Sequence, residues 1–356
     1  MKVAIITFPL INNYGGIIQA YALIKLVKDL GHEPILVNLQ PERKFIALGK
    51  YFIRRYLQNN RTYPKFVRDR ILDKFIVENI YPKTLEIRNS SELHRHFQSD
   101  FYDACIVGSD QVFSSMGFTN FKGDFSLGFV PENTIKLSYA ASFGGGEFRG
   151  DKSAIPHYSN NIKRFNAVSV RESSAIDICK ELFGVNAKHV LDPTMMIDRS
   201  YYTDLFKKSE LYHSKKELFA YVLDTSEFKC KLMNKIADEK SIKLNQVNDG
   251  NISGRVISME SWLASIFYSE HVITDSFHGC VFCIIFNKPF HCFVNEERGA
   301  DRFYSLLGLF GLENRVIRGD LDSIADSEID WIQVNAKLKL LQQESKVFLD
   351  SNLTRK

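Results

Sequence analysis

Short apolar runs alternate with helix-patterned runs along almost the whole chain, and this alternation restricts the fold more than any other feature. "KVAIITF" has the composition of a buried strand, "IIQAYALIKLVKDL" carries apolar residues at helical spacing and stops at Gly31, and "PILVNL" is a second strand. "DACIVGSD" and "IKLSYAASFG" are strands running into loops. "AVSVRESSAIDICKELFG" is a strand feeding a helix that stops at Gly184, and "KHVLDPTMMI" is a strand that turns at Asp-Pro. From "ELFAYVL" the series restarts: a helix over 230–240, a short strand near 244–247, another helix, then "VITDSFHGCVFCIIFNKPF". An amphipathic run over 329–349 predicts a long C-terminal helix. Strands joined through helices lie parallel in doubly wound sheets. Two such series, breaking near 192–215, predict an α/β protein of GT-B-like form. Residues 1–195 and 196–318 are then two Rossmann-like domains facing a cleft, and 319–356 a helix packing back across the junction.

A chain of 356 residues, 45% hydrophobic, is long enough for two full cores, and 25% charged residues is ordinary for a globular protein. Its apolar runs are all shorter than a membrane span. The start, "MKVAIITFPLINNYGG", reads as a strand and not as a secretory leader. The six cysteines lie mostly in apolar surroundings, as reduced thiols of a cytoplasmic protein do. Cys280 and Cys283 form a lone C-x-x-C in an apolar helical stretch, which favours core packing over metal or redox chemistry. The net charge of +4 is unevenly spread. Residues 43–74 hold ten Lys/Arg against Asp69 and Asp73, interleaved with aromatic residues. That pattern suits an anionic membrane surface, and equally a solvated helical face. Nucleic acid is a weaker match, because no recognised binding motif accompanies the charge.

Polar and glycine clusters recur where strands end, which is where open α/β sheets bind ligands. Asn12-Asn13-Tyr14-Gly15-Gly16 follows the first strand; its glycines would let an anion approach a helix N-terminus, and a plain tight turn explains them as well. It lacks the spacing of a dinucleotide-binding fingerprint. Next come Gly108-Ser109-Asp110-Gln111 and the run Ser138 to Gly146, which contains Ser142. Ser169-Val170-Arg171-Glu172 delivers an arginine to a strand end, where its planar fork suits a carboxylate or phosphate, or else a structural salt bridge. Thr274-Asp275-Ser276-Phe277-His278-Gly279 places a carboxylate, a hydroxyl and an imidazole at another strand end. Arg298 and Arg302 follow, close together on one face if that stretch is helical. Several arginines and one histidine converging on a cleft point to a small, multiply anionic substrate. His271 and His278 lack zinc spacing, and no G-x-S-x-G elbow is present, so neither a metal site nor a serine hydrolase is expected. No cofactor is expected either.

Taken in order, "NYGGIIQAYAL", "VGSDQVF", "SYAASFG", "VSVRESSA", "VLDPTMMI" and "TDSFHGCVFCIIFNKPF" resemble the polysaccharide pyruvyltransferase family, over about residues 1 to 318. The resemblance implies transfer of pyruvate from phosphoenolpyruvate to a hexose, galactose-type or N-acetylhexosamine, of a bacterial capsule or cell-surface polysaccharide. The product would be a cyclic 4,6-ketal, with phosphate released. It implies a donor site of Arg171, Arg298, Arg302, Ser276 and Gly279 in the second half of the cleft, where some relatives have a lysine in place of Arg298 or Arg302. His278 would be the general acid or a phosphate contact. Asp110 or Asp275 would be a base toward the acceptor hydroxyl, or a helix cap. The acceptor, free or lipid-linked, would meet Asn13, Tyr14, Gly15, Gly16, Gln111 and Ser142. With a lipid-linked acceptor, residues 43–74 would dock the protein peripherally at the inner membrane face. The rival readings are a GT-B glycosyltransferase using a nucleotide sugar and a non-catalytic scaffold of capsule assembly.

Overall fold

A computed structural model describes residues 1–11, 13–41, 65–118, 120–207, 217–247, 256–294, 299–318 and 327–354, with the backbone alone over 65–70. Arg298 and most of the basic stretch 43–74 lie outside the described residues. The first half runs β1 (Lys2–Ile6), α1 (Tyr14–Asp29), β2 (Glu33–Leu36), α2 (Lys65–Asn79), α3 (Ser90–Ser99), β3 (Ala104–Asp110) and β4 (Ile135–Ala141). It continues with α4 (Ile155–Ile162), β5 (Val168–Val170), α5 (Ser174–Ile178) and β6 (Ala187–His189). The second half runs α6 (Ser200–Lys207), β7 (Glu217–Tyr221), α7 (Glu227–Glu239), β8 (Lys243–Val247), α8 (Met259–Tyr268) and β9 (His271–Thr274). It ends with α9 (Phe277–Phe286), β10 (Phe290–Cys292), α10 (Ala300–Phe310) and α11 (Trp331–Asn352).

Both sheets are parallel throughout: six strands in the order β2-β1-β3-β4-β5-β6, and four in the order β10-β9-β7-β8. The central strands β3 and β9 are buried along their whole length because both faces of each sheet are covered there. Val3 and Ile5 face one core while Ala4 and Ile6 face the other, as the two-residue strand period requires. In each sheet the strand order reverses once, between β1 and β3 and between β7 and β9. These switch points are where α/β sheets open a crevice at their carboxyl ends.

One apolar core is shared by the two sheets: Val3, Ile5 and Ile106 of the first belong to the same cluster as Phe219, Val272 and Val281 of the second. Helix α1 lies between them and is buried nearly all round, capped by the Asn13 side chain, which accepts from Gly16 N at 3.2 Å. The chain leaves α1 through Gly31, whose φ of +82° suits the glycine of a helix C-terminus. Helix α11 returns across the junction: its Gln342 Nε2 donates to Met195 O at 2.5 Å, its Ser345 Oγ accepts from Leu191 N at 3.0 Å, and Val334, Phe348 and Leu349 enter the shared core. The structure adds elements that the apolar pattern missed, notably α3 and β10. Strand β10 is only three residues long, and α3 buries just Leu93 and Phe97, so neither leaves a periodic signature. Cys280 and Cys283 are buried in α9 beside Cys292, and burial pushes both thiols well above their ordinary range.

Candidate active site

The cleft is lined where the two switch points meet. Near the end of strand β3 lies Gly108, φ +136°, where an added Cβ would lie 2.1 Å from Tyr139 O, so this position demands glycine. The Gly108–Ser109 peptide is cis, and Asp110 follows with φ +74°. Gln19, on α1 and fully buried, ties this turn to the neighbouring strand. Its Oε1 accepts from Ser109 N at 3.1 Å, and its Nε2 donates to Thr7 Oγ1 at 3.1 Å and Gly16 O at 2.8 Å. Thr7 Oγ1 closes the ring by donating to Ser109 O at 3.1 Å.

Arg171, just past β5, is fixed at both ends. Its backbone N donates to Ala141 O at 3.1 Å, its carbonyl meets His189 Nε2 at 2.9 Å, and its Nη1 donates to Asp192 Oδ2 at 3.0 Å. Its guanidinium lies over the Phe277 ring, 4.6 Å from the centroid. Asp192 is the hub of the site. Its Oδ2 also accepts from Ser109 Oγ at 3.1 Å, and its Oδ1 accepts from Thr194 N at 3.0 Å and Thr194 Oγ1 at 2.6 Å. His278, from the first turn of α9, brings its Nε2 to 3.7 Å from the same Oδ2. Burial alone would raise the Asp192 carboxyl, but His278, Arg171 and Thr194 hold it well below the usual carboxylate range. The imidazole's other edge rests on Gly15, where an added Cβ would fall 2.2 Å from Nδ1. Gly15 is therefore the floor under His278.

Arg302, on α10, is 8% exposed and lies over the same Phe277 ring at 5.5 Å. Burial and the charge of Arg171 push its guanidinium down to about 10, so it stays cationic at neutral pH. Glu172 is buried beside it, with Oε1 accepting from Ser142 Oγ at 3.0 Å and Phe143 N at 2.7 Å. Burial pushes the Glu172 carboxyl up, against the pull of Arg171, the Phe143 N–H, Arg302 and Ser142. Four buried polar atoms here have no hydrogen-bond partner among the described residues: Arg171 Nε, Arg171 Nη2, Glu172 Oε2 and His278 Nε2.

The structure thus brings Asp110, Arg171, His278 and Arg302 together, with Arg171 Nη2 3.8 Å from Asp110 Oδ1. It does not bring in Asp275. That carboxylate is saturated by Leu223 N at 2.6 Å, Asp224 N at 3.1 Å and Lys229 Nζ at 2.7 Å, so its geometry is that of a loop organiser and not of a base. Ser276 caps α9 by accepting from Gly279 N at 3.4 Å. Gly279 is a packing glycine whose added Cβ would strike Thr274 Oγ1 at 2.3 Å. The Tyr14 hydroxyl is spent on Ile257, donating to its O at 2.6 Å and accepting from its N at 3.0 Å, while its ring stacks on Trp262. Asn13 is the α1 cap, Gly16 packs beside Asn13 and Asp110, Gln111 lies against Gly144, and Ser142 donates to Glu172. Asp192, Gln19 and Phe277 were missed as site residues. Asp192 read as a turn, because Asp-Pro is a common turn opening; its position just beyond a strand was the available signal.

The two facing doubly wound domains with a helix returning across them make this a GT-B-like α/β protein. The model of the polysaccharide pyruvyl transferase family matches residues 13–297, and the chain belongs to that family. A search of curated protein sequences gives no match. Among solved structures, the chain is similar to a UDP-N-acetylglucosamine 2-epimerase from Rickettsia bellii, with 11% identity, a TM-score of 0.50, and coverage of 99% of this chain and 97% of that one. It is also similar to the E. coli heptosyltransferase WaaC with ADP, with 11% identity, a TM-score of 0.41, and coverage of 98% and 100%. At 11% identity the likeness to the epimerase is one of fold.

Proposed function

We propose that this protein transfers pyruvate from phosphoenolpyruvate to a hexose of a bacterial surface polysaccharide repeat unit, forming a cyclic 4,6-ketal and releasing phosphate. The observation that carries the reading is the set of buried nitrogens on Arg171 and His278 that have no hydrogen-bond partner among the described residues, gathered around one shared carboxylate. Burying a polar group unpaired costs about 1–3 kcal/mol, so a fold that keeps several together is holding them for something. Phosphoenolpyruvate carries a carboxylate and a phosphate, and Arg171 and Arg302 supply a cation for each.

In this reading His278 protonates the methylene carbon, leaving an oxocarbenium-like centre at the carbon that bears the phosphate. A sugar hydroxyl adds there, losing its proton to Asp110. The C–O bond to phosphate then breaks, and a second hydroxyl of the same sugar closes the ring. Two hydroxyl protons are thereby accounted for, one on the new methyl group and one on the released phosphate. The acceptor is free or carried on a lipid, and the basic stretch 43–74 would dock the protein to an anionic membrane face in the second case.

The test is ligand-induced stabilisation with phosphoenolpyruvate, uridine-diphosphate galactose and inorganic phosphate in parallel, followed by phosphate release on adding acceptor saccharides. A ligand at 100 times its Kd adds about 2.7 kcal/mol, a readable rise in Tm. Stabilisation by phosphoenolpyruvate is expected. Stabilisation by the nucleotide sugar alone would overturn the reading.

A further inference from the structure

We infer that Asp192 is a positioning residue that indexes Arg171, so that the Nε–Nη2 edge of the guanidinium is presented to the carboxylate of the donor. The inference rests on the pyruvyl-transfer reading and assigns one end of the donor to one edge of one side chain. A guanidinium offers several donors in one plane. Asp192 occupies the Nη1 prong at 3.0 Å, and Phe277 covers a face of the plane at 4.6 Å. The backbone on both sides is pinned to Ala141 and His189, so the group has little freedom to turn. The donors left over are Nε and Nη2, both buried and unpartnered among the described residues. They point along one edge, at the spacing of two carboxylate oxygens, and this side-on pairing is the strong bidentate form of an arginine–carboxylate contact. Asp110 Oδ1 stands 3.8 Å from Nη2, an ion pair beyond hydrogen-bond distance, so neither N–H of that edge is hydrogen-bonded among the described residues.

Asp192 also holds the edge in register with the proton donor. The carboxylate oxygen that fixes Arg171 is the one facing His278 Nε2. Arg171 reaches it from the first half and His278 from the second, so the carboxylate fixes one relative to the other across the cleft. Ser109 and Thr194 anchor the carboxylate from behind, which keeps the arginine from dragging it out of place.

The test pairs two variants with three small anions: pyruvate, which has the carboxylate alone, inorganic phosphate, and phosphoenolpyruvate. Binding is read by calorimetry and turnover by phosphate release. Arg171→Lys keeps a cation beside Asp192 but has no planar edge, and should raise the Kd for pyruvate at least tenfold while changing that for phosphate little. Asp192→Asn removes the anion that competes with ligands for Arg171. It should tighten phosphate binding while lowering turnover of phosphoenolpyruvate about 10²-fold, because arginine and histidine lose their common register. A residue that merely supports the fold would weaken binding and turnover together, and that result in Asp192→Asn would overturn the inference. If Asp192→Asn does not fold, Arg171→Lys decides alone: unchanged pyruvate binding overturns the edge assignment. A wild type that binds pyruvate but ignores phosphoenolpyruvate sinks the donor reading and leaves the carboxylate edge standing. A wild type that binds no carboxylate sinks the edge.

Discussion

Asp192 and Glu172 are both buried carboxyls of one site, yet they respond to pH with opposite signs. The Asp192 carboxyl is held down in the fold, so the stabilisation it gives is fully present above about pH 4, the range of an ordinary aspartate, and is lost as pH falls below it. The Glu172 carboxyl is held up, so the fold is favoured with that group protonated, and its contribution fades as pH rises past the ordinary glutamate range. Glu172→Gln should therefore raise the urea midpoint at pH 8 and leave it unchanged at pH 4. A lower midpoint at pH 8 would show that the ionised form is the one stabilised. Gly15 offers a test of placement. Gly15→Ala puts a methyl group against the imidazole at 2.2 Å, an overpacking worth about 1–3 kcal/mol, and His278 is the side chain free to yield. Turnover should fall by about the 10²–10⁴-fold that a misplaced proton donor costs, with a modest loss of Tm. A fully active Gly15→Ala would remove His278 from the chemistry. His278, Arg171 and Asp110 were legible in the sequence because polar residues at the ends of apolar strands stand out. The hub was not, since Asp192 gains its meaning from Ser109, 83 residues earlier, and from an imidazole on the far side of the cleft.

At the scale of elements, the strands and helices that carry the site were readable, because each is an apolar run of the right period bounded by glycine, proline or a cap. What the period could not convey is which elements touch. The first turn of α1 is the main instance. Its Asn-Tyr-Gly-Gly start reads as a ligand loop, yet the Tyr14 hydroxyl serves as a bolt between α1 and the Ile257 backbone of the other half. Tyr14→Phe should cost about 1 kcal/mol, since it removes two hydrogen bonds to a half-buried stretch of backbone. Equilibrium unfolding measures that loss; a change below a few tenths of a kcal/mol would mean that water replaces the hydroxyl. A second seam joins the glycine run after β4 to the start of α10. Gly146 N donates to Asp301 Oδ2 at 2.8 Å, and an added Cβ on Gly299, φ +101°, would overlap Gly144 O at 1.3 Å. Gly299→Ala should force this seam apart, and faster amide hydrogen exchange over 144–146 would report it.

At the scale of the whole molecule, the two parallel sheets and the returning helix follow from the order of elements, while their common core does not. Residues from both sheets and from α11 share one apolar cluster, so the halves are expected to unfold in a single transition. Ending the chain at residue 330 removes Val334, Phe348 and Leu349 from that cluster and the anchors at Leu191 and Met195. The shortened protein should lose the single transition, and two resolved calorimetric peaks would be its signature.

The side chains at the centre of the site, Arg171, Asp192 and His278, are 4%, 2% and 6% exposed. Sunk this deep, the three groups are less a surface than the works of a lock: whatever is to touch them must first be let past the contacts that cover them.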